Sequence, residues 1–169
     1  PAGIFANNPN VINFGRAFGD CPKLVSVPEN LFANNLLVED FGGLFYNCTA
    51  FATIPVNLFA NNTAVTSISG TFFNCEALTV IPAHIFDANV NTTNFKDVFS
   101  KCQNITTVPS DLFAKNTKAN SFQSAFSGCI NITSAVPELW VSHPDAVSTA
   151  CFCECVKAAN YTDIPGLWR

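Results

Sequence analysis

Apolar residues along this chain fall into a pattern that repeats every 27 residues. In one period, PVNLFANNTAVTSISGTFFNCEALTVI, the apolar positions Val65, Ile68, Phe72 and Cys75 are separated by three, four and three residues. This spacing predicts a helical segment. The Asn pair before it, Asn61 and Asn62, offers side-chain oxygens to the first free amides of such a helix. The column Asn8, Asn35, Asn62, Asn89 and Asn116 is therefore read as caps or turn residues. After each cysteine comes a β-prone stretch, LVSV, FATI, LTVI, ITTV or ITSAV, that ends at the next proline. A short strand is predicted there, because Pro is tolerated where a strand ends and not within a ladder. Proline then presets φ for a helical or 3₁₀ turn, P-x-x-[IL]-F, which drives Phe5, Phe32, Phe59, Phe86 and Phe113 inward.

The register is fixed by single residue types. Cys21, Cys48, Cys75, Cys102 and Cys129 each follow a phenylalanine by three residues, namely Phe18, Phe45, Phe72, Phe99 and Phe126, and Pro1, Pro28, Pro55, Pro82 and Pro109 keep the same period. A fixed period of this length marks a solenoid whose units bury their apolar faces only by stacking. The units run Pro1 to Val27, Pro28 to Ile54, Pro55 to Ile81, Pro82 to Val108 and Pro109 to Val136, with a degraded sixth from Pro137 to Ile164 and a stub, PGLWR. With one parallel strand and one helical segment per coil, the predicted fold class is an α/β right-handed solenoid. It is a single elongated domain, with regular repeats over 1–136 and a degenerate repeat with C-terminal cap over 137–169.

The sixth unit departs from the rule. Trp140 replaces the ladder Phe one residue early, His143 and Pro144 replace the Asn turn, Cys155 follows an apparent two-residue deletion, and Trp168 echoes Trp140. Atypical end repeats shield the last coil, so the natural end is expected near Arg169, whereas Pro1 starts in full register and implies a preceding portion.

Composition narrows the function. Charged residues make up 12% and hydrophobic residues 49%, and the net charge is −4. No basic stripe is available to track phosphates, which argues against nucleic acid. No apolar run approaches the roughly 20 residues that span a bilayer, so membrane insertion is not expected either. Of the 8 cysteines, five occupy one core column. Stacked coils hold equivalent side chains about 4.8 Å apart and parallel, while a disulfide needs converging Cβ atoms about 3.8 Å apart, so buried free thiols are expected there. Cys151 and Cys153 lie outside the column and are the cysteines expected to be exposed.

Chemistry is sparse. His84 and His143 do not recur, neither sits in a nucleophile, metalloprotease or phosphate-loop motif, and the 12 acidic residues are scattered singly. No enzyme and no cofactor are expected. Cys151, Cys153 and Cys155 with His143 offer zinc-type ligands, but their spacing is not that of paired zinc loops, and no metal is expected. Asn47, Asn61, Asn91, Asn104, Asn131 and Asn160 begin N-x-[ST] sequons: turn and strand residues in a bacterial protein, glycan sites in a secreted eukaryotic one.

The segments VTSISGTFFNCEALTVIP, AFGDCPKLVSVP and AFSGCINITSAVP resemble the BspA-like leucine-rich-repeat family of bacterial and protist surface proteins, and CFCECVKAANYTDIPGLWR is similar to that family's closing repeat. The resemblance implies a leucine-rich-repeat-like solenoid, an extracellular or cell-surface location, adhesion to host or matrix proteins, and no catalytic residues. The 27-residue period and the scarcity of charge depart from the family's commonest unit.

Two functions fit. One is a non-enzymatic module for protein or glycan binding and adhesion, with the exposed strand positions as its face: Val25, Ala52, Thr79, Thr106 and Thr133, or Ser26, Thr53, Val80, Thr107 and Ser134. Strand alternation turns one of these two columns outward. The other is a structural stalk, spacer or filament subunit that self-associates end to end.

Overall fold

The computed structural model describes residues 3–169, so Pro1, first of the proline column, lies outside the described residues. The coils stack in register, and the backbone that joins them is not where the sequence places it. Parallel bridges run from Asn13 through Asp40, Ser67 and Asn94 to Ser121 and Val147, one per coil. This column lies at the start of the segment predicted to be helical. In the predicted strands, a single parallel bridge joins Val80 and Thr107.

Hydrogen bonding shows why the helix is absent. In the third coil the amides of Ile68, Gly70, Phe72 and Asn74 donate across to Asn94, Lys96, Val98 and Ser100 of the next coil, at 2.7 to 3.0 Å. The amides between them, on Thr71 and Phe73, turn back to Ile68 and Gly70 in the same coil. Alternate donors therefore serve the neighbouring coil, and an α-helix, which uses every amide internally, cannot form. The backbone also enters and leaves this segment left-handed, at Gly70 (φ 61°) and Asn74 (φ 57°). Gly and Asn are the residues that accept that conformation most readily. The three-four-three spacing thus belongs to a run of tight turns with helix-like inward periodicity.

The proline turn forms as the sequence predicts, with Leu58 and Leu112 amides bonded to the Pro55 and Pro109 carbonyls. It carries the first phenylalanine column into the core, where Phe32, Phe59 and Phe86 are fully buried. A second column, Phe18, Phe45, Phe72, Phe99, Phe126 and Phe152, stacks ring on ring at 5.4 to 5.7 Å. Phe14 and Phe41, then Phe95 and Phe122, form a third, interrupted by Ile68. Stacking at the coil spacing adds to the burial of each ring.

The asparagine column is corrected from caps to a buried ladder. Asn62 is fully buried, and its Nδ2 donates back to the carbonyls of Phe32 (3.2 Å) and Asn35 (2.8 Å) in the preceding coil. Asn35, Asn89 and Asn116 repeat this pairing. In the sixth coil His143 takes the same place, its Nε2 3.2 Å from the Asn116 carbonyl. A carbonyl only accepts, so Nε2 carries the proton, and Nδ1 faces the Ser142 hydroxyl at 2.9 Å.

Cysteines form the matching ladder. The thiols of Cys48, Cys75, Cys102, Cys129 and Cys155 lie 3.0 to 3.3 Å from the carbonyls of Phe18, Phe45, Phe72, Phe99 and Phe126. All eight cysteines are free. Two expectations fail. Cys21 is exposed, because the ladder bond points to a preceding coil and none lies there among the described residues. Cys151 is buried, because it stands in the inward column of Leu44, Thr71, Val98 and Ala125, while Cys153 is half-buried.

The last coil contains α1 (Leu139–Ser142) and two 3₁₀ turns, Tyr161–Asp163 and Gly166–Trp168. Its shortening relative to the cysteine column is one residue, since Cys155 follows Cys129 by 26 positions. The other residue of the apparent two-residue deletion is an insertion before Pro137 in the fifth coil. Ala150 and Phe152 donate to the carbonyls of Leu167 and Trp168, so the closing segment continues the ladder. Trp140 meets Phe152 and Trp168 edge-on, both at 6.4 Å.

Candidate functional site

The segment after each cysteine is extended, and its side chains follow a rhythm of in, out, out, in. Phe51 and Ile54, Leu78 and Ile81, and Ile105 and Val108 are buried, and the two residues between each pair point away from the core. Both candidate columns therefore lie outside, and the expected choice between them is corrected. With only one parallel bridge in this region, the stretch is not a pleated strand and need not alternate. Val25 is 57% exposed and Val80 58%. Ser26, Thr53, Thr79, Thr106, Thr107 and Thr133 are exposed, and Ala52 and Ser134 half-buried. Over the segments 22–27, 49–54, 76–81, 103–108 and 130–136 the only formal charges are Lys23 and Glu76. The result is a strip of methyls and hydroxyls five coils long.

A second outward feature escaped the reading of the repeat. Tyr46 and Phe73 occupy a column that holds Gly19, Ser100, Ser127 and Cys153 in other coils, and they stack at 4.7 Å with ring planes 7° apart. The Arg16 guanidinium lies 4.6 Å from the Tyr46 centroid and the Lys101 ammonium 5.4 Å from that of Phe73. Next to the rings a groove of about 420 Å³ opens over Gly42, Gly43, Ser69 and Gly70. The signal is a break in the columns: aromatic where neighbours are small, and Gly43 and Gly70 where Arg16, Asp97 and Ser124 carry side chains.

The remaining candidates make contacts within the stack of coils. All six sequon asparagines donate Nδ2 to the preceding coil or an adjoining segment, for example Asn104 to the Glu76 carbonyl at 2.9 Å and Asn160 to that of Val136 at 3.1 Å. His84 is exposed, with Nδ1 3.1 Å from Asp87 and 4.0 Å from Asp111. Among the described residues no three His, Cys, Asp or Glu side chains converge as metal ligands, and no helix is long and apolar enough to cross a membrane.

No family model and no curated protein matches the chain. Solved structures that it is similar to are leucine-rich-repeat proteins. One, from Bacteroides ovatus, is 21% identical over 73% of this chain and 34% of that one, with a TM-score of 0.40. The leucine-rich-repeat protein of T. pallidum is 17% identical over 73% and 61%, at 0.38. The functional domain of InlJ from Listeria monocytogenes, which includes a cysteine ladder, is 14% identical over 58% and 17%, at 0.36. The chain thus spans from 17% to 61% of the lengths of these proteins. Scores this low describe a loose likeness, and the solenoid class rests on the stacked coils themselves.

Proposed function

We propose that this chain is a non-enzymatic recognition module of the BspA-like kind, which works outside the cell and adheres to a protein or glycan ligand of a host cell or matrix through several coils at once. The observation that carries the reading is the long, nearly uncharged strip formed by Val25, Ala52, Thr79, Thr106 and Thr133 with Ser26, Thr53, Val80, Thr107 and Ser134. Small side chains contribute roughly 1 kcal/mol or less each, so useful affinity requires many of them on one rigid surface. Solenoids provide such surfaces. The end-to-end filament is the weaker reading, because Leu167 and Trp168 already accept the ladder amides of Ala150 and Phe152 at one end.

The test is deletion of whole 27-residue coils with the closing residues 137–169 kept, measured as binding to immobilised matrix proteins and to a glycan panel. Binding to one ligand should fall stepwise with each coil removed. Concentration-dependent polymers with no saturable ligand would favour the filament, and abolition of binding by a single change at His84 or His143 with the fold intact would overturn the module reading.

A further inference from the structure

The groove beside Tyr46 and Phe73 is the one place among the described residues where the outer columns combine missing side chains with aromatic rings. Its floor is Gly42, Gly43, Ser69 and Gly70, where the fourth coil has Lys96 and Asp97. Asp40 and Ser67 line it ahead of that floor in each coil, and the two rings line it beyond. Arg16 and Asp97 belong to the flanking coils and mark its two ends. Arg and Tyr are the residue types on which binding energy concentrates, especially beside a pocket that excludes water.

Charge and geometry decide what it accepts. Arg16, the cation in the lining, is committed to the face of Tyr46. Against it stand two carboxylates. Asp40 is partly satisfied, accepting from the Gly42 amide at 2.7 Å and the Asn13 amide group at 3.2 Å. Asp97 is half-buried, and its carboxylate accepts no hydrogen bond and makes no ion pair among the described residues. Burial pushes its pKa up, and Lys96 beside it pulls the other way. A carboxylate held in this way gains from a cation that brings its own donors. A sugar is the poorer fit. Each ring covers one face of the other, and Arg16 and Lys101 cover the outer faces, so no open aromatic face remains on which a pyranose can lie.

We propose that this groove receives a lysine or arginine side chain of a protein partner, with the cationic head on Asp97, the Ser67 and Ser69 hydroxyls and Asp40 along its length, and the aliphatic stem against the edges of Tyr46 and Phe73. This rests on the reading of the chain as a recognition module, and it adds a discrete contact on a segment of the coil separate from the uncharged strip. The neighbouring coils show that the position tolerates a neutral residue: Ser124 holds the same place one coil on, at φ 53°, where Asp97 has φ 54°.

The experiment uses the whole chain, labelled for NMR, titrated into the millimolar range with N-acetyl-arginine amide and N-acetyl-lysine amide. N-acetyl-glutamate amide and N-acetylglucosamine serve as the anionic and sugar comparisons. Saturable shifts at Asp97, Tyr46 and Phe73 are expected with the two cationic probes, with at least a tenfold loss of affinity in Asp97→Ser and no change in Thr63→Ala, an exposed position outside both the groove and the strip. Three results overturn the proposal: no saturable shift with either cation, equal or stronger shifts with the glutamate probe or the sugar, or cationic binding that survives Asp97→Ser. Any of these leaves the stepwise effect of coil deletion untouched, so failure of this inference is distinguishable from failure of the module reading.

Discussion

Coils one and three share their Phe, Asn and Cys ladder residues in the same register and give them different surroundings. Cys75 is fully buried with its thiol on the Phe45 carbonyl, whereas Cys21 is exposed. Phe72 is fully buried between rings on both sides, whereas Phe18 is half-buried with Phe45 stacked on one side. Asn62 bridges two carbonyls of the coil before it, whereas Asn8 is exposed. The ladder bonds of Cys and Asn all point backward, toward the lower-numbered coil. A repeat unit therefore does not own its core; the neighbour supplies it.

The largest effect should come from the ring that separates the two coils most clearly. Phe72→Ala is expected to cost about 3 to 5 kcal/mol, the range for emptying a buried aromatic site. Phe18→Ala should cost clearly less, since its ring lies at a half-covered position. Urea unfolding of the two variants measures the difference, and equal losses would show that burial does not depend on the neighbouring coil.

Next comes the asparagine ladder. Asn62→Ala removes the second donor from the buried Phe32 and Asn35 carbonyls, which keep the Asn35 and Val38 amides, and the two lost hydrogen bonds are expected to cost about 1 to 3 kcal/mol together. Asn8→Ala removes an exposed side chain and should stay within about 0.5 kcal/mol. A large effect at Asn8 would mean that the first coil is covered in solution.

The same comparison explains what the sequence could disclose. Interior columns were legible, since stacking forces equivalent residues into equivalent places and Phe, Cys and Asn recur accordingly. Backbone conformation was not, because inward residues at three-four-three spacing arise equally from a helix and from tight turns whose alternate amides reach the next coil. The better clue was the pair of left-handed positions four apart, Gly43 with Asn47 and Gly70 with Asn74, both residue types that accept positive φ. In the candidate sites, alternation along a strand predicts one outward column of the two, and both point outward because the stretch is not a pleated strand. The groove was hidden for the opposite reason. Tyr46 and Phe73 do not recur along their column, and they are informative because they break it.

Alkaline pH should loosen the interior coils through their thiols. Burial, the largest cause, raises the pKa of Cys48, Cys75, Cys102, Cys129 and Cys151 above the ordinary value near 9.0, and pushes that of Cys155 up to about 12. The folded chain then keeps protons that the unfolded chain releases. This stabilisation is complete below about pH 9 and is lost as pH rises toward the folded value, at about 1.4 kcal/mol per pH unit for each thiol. The melting temperature should fall steeply above pH 9, less so in Cys75→Ala compared with its own value at pH 7. Thiol labelling at neutral pH should reach Cys21 first, Cys153 next and the buried six only on unfolding. Rapid modification of Cys75 would break the ladder.

The smallest effects belong to the columns where the two coils do not differ at all. Val25 of the first coil and its counterpart Thr79 in the third are both exposed, as are Ser26 and Val80 in the adjoining column, because an outward side chain owes nothing to the coil beside it. Substitutions on this strip should therefore be equally mild along the array: Thr79→Ala and Val25→Ala are each expected within about 0.5 kcal/mol of the parent in urea unfolding. Their consequence should be read in binding instead. A combined Thr79→Ala, Thr106→Ala and Thr133→Ala variant should unfold near the parent's midpoint and lose affinity for the ligand of the strip by more than any one change does alone. If the triple variant binds as the parent does, the strip is only solvated surface and recognition lies elsewhere on the coils; if the single changes already destabilise by several kcal/mol, the outward direction of these columns is wrong.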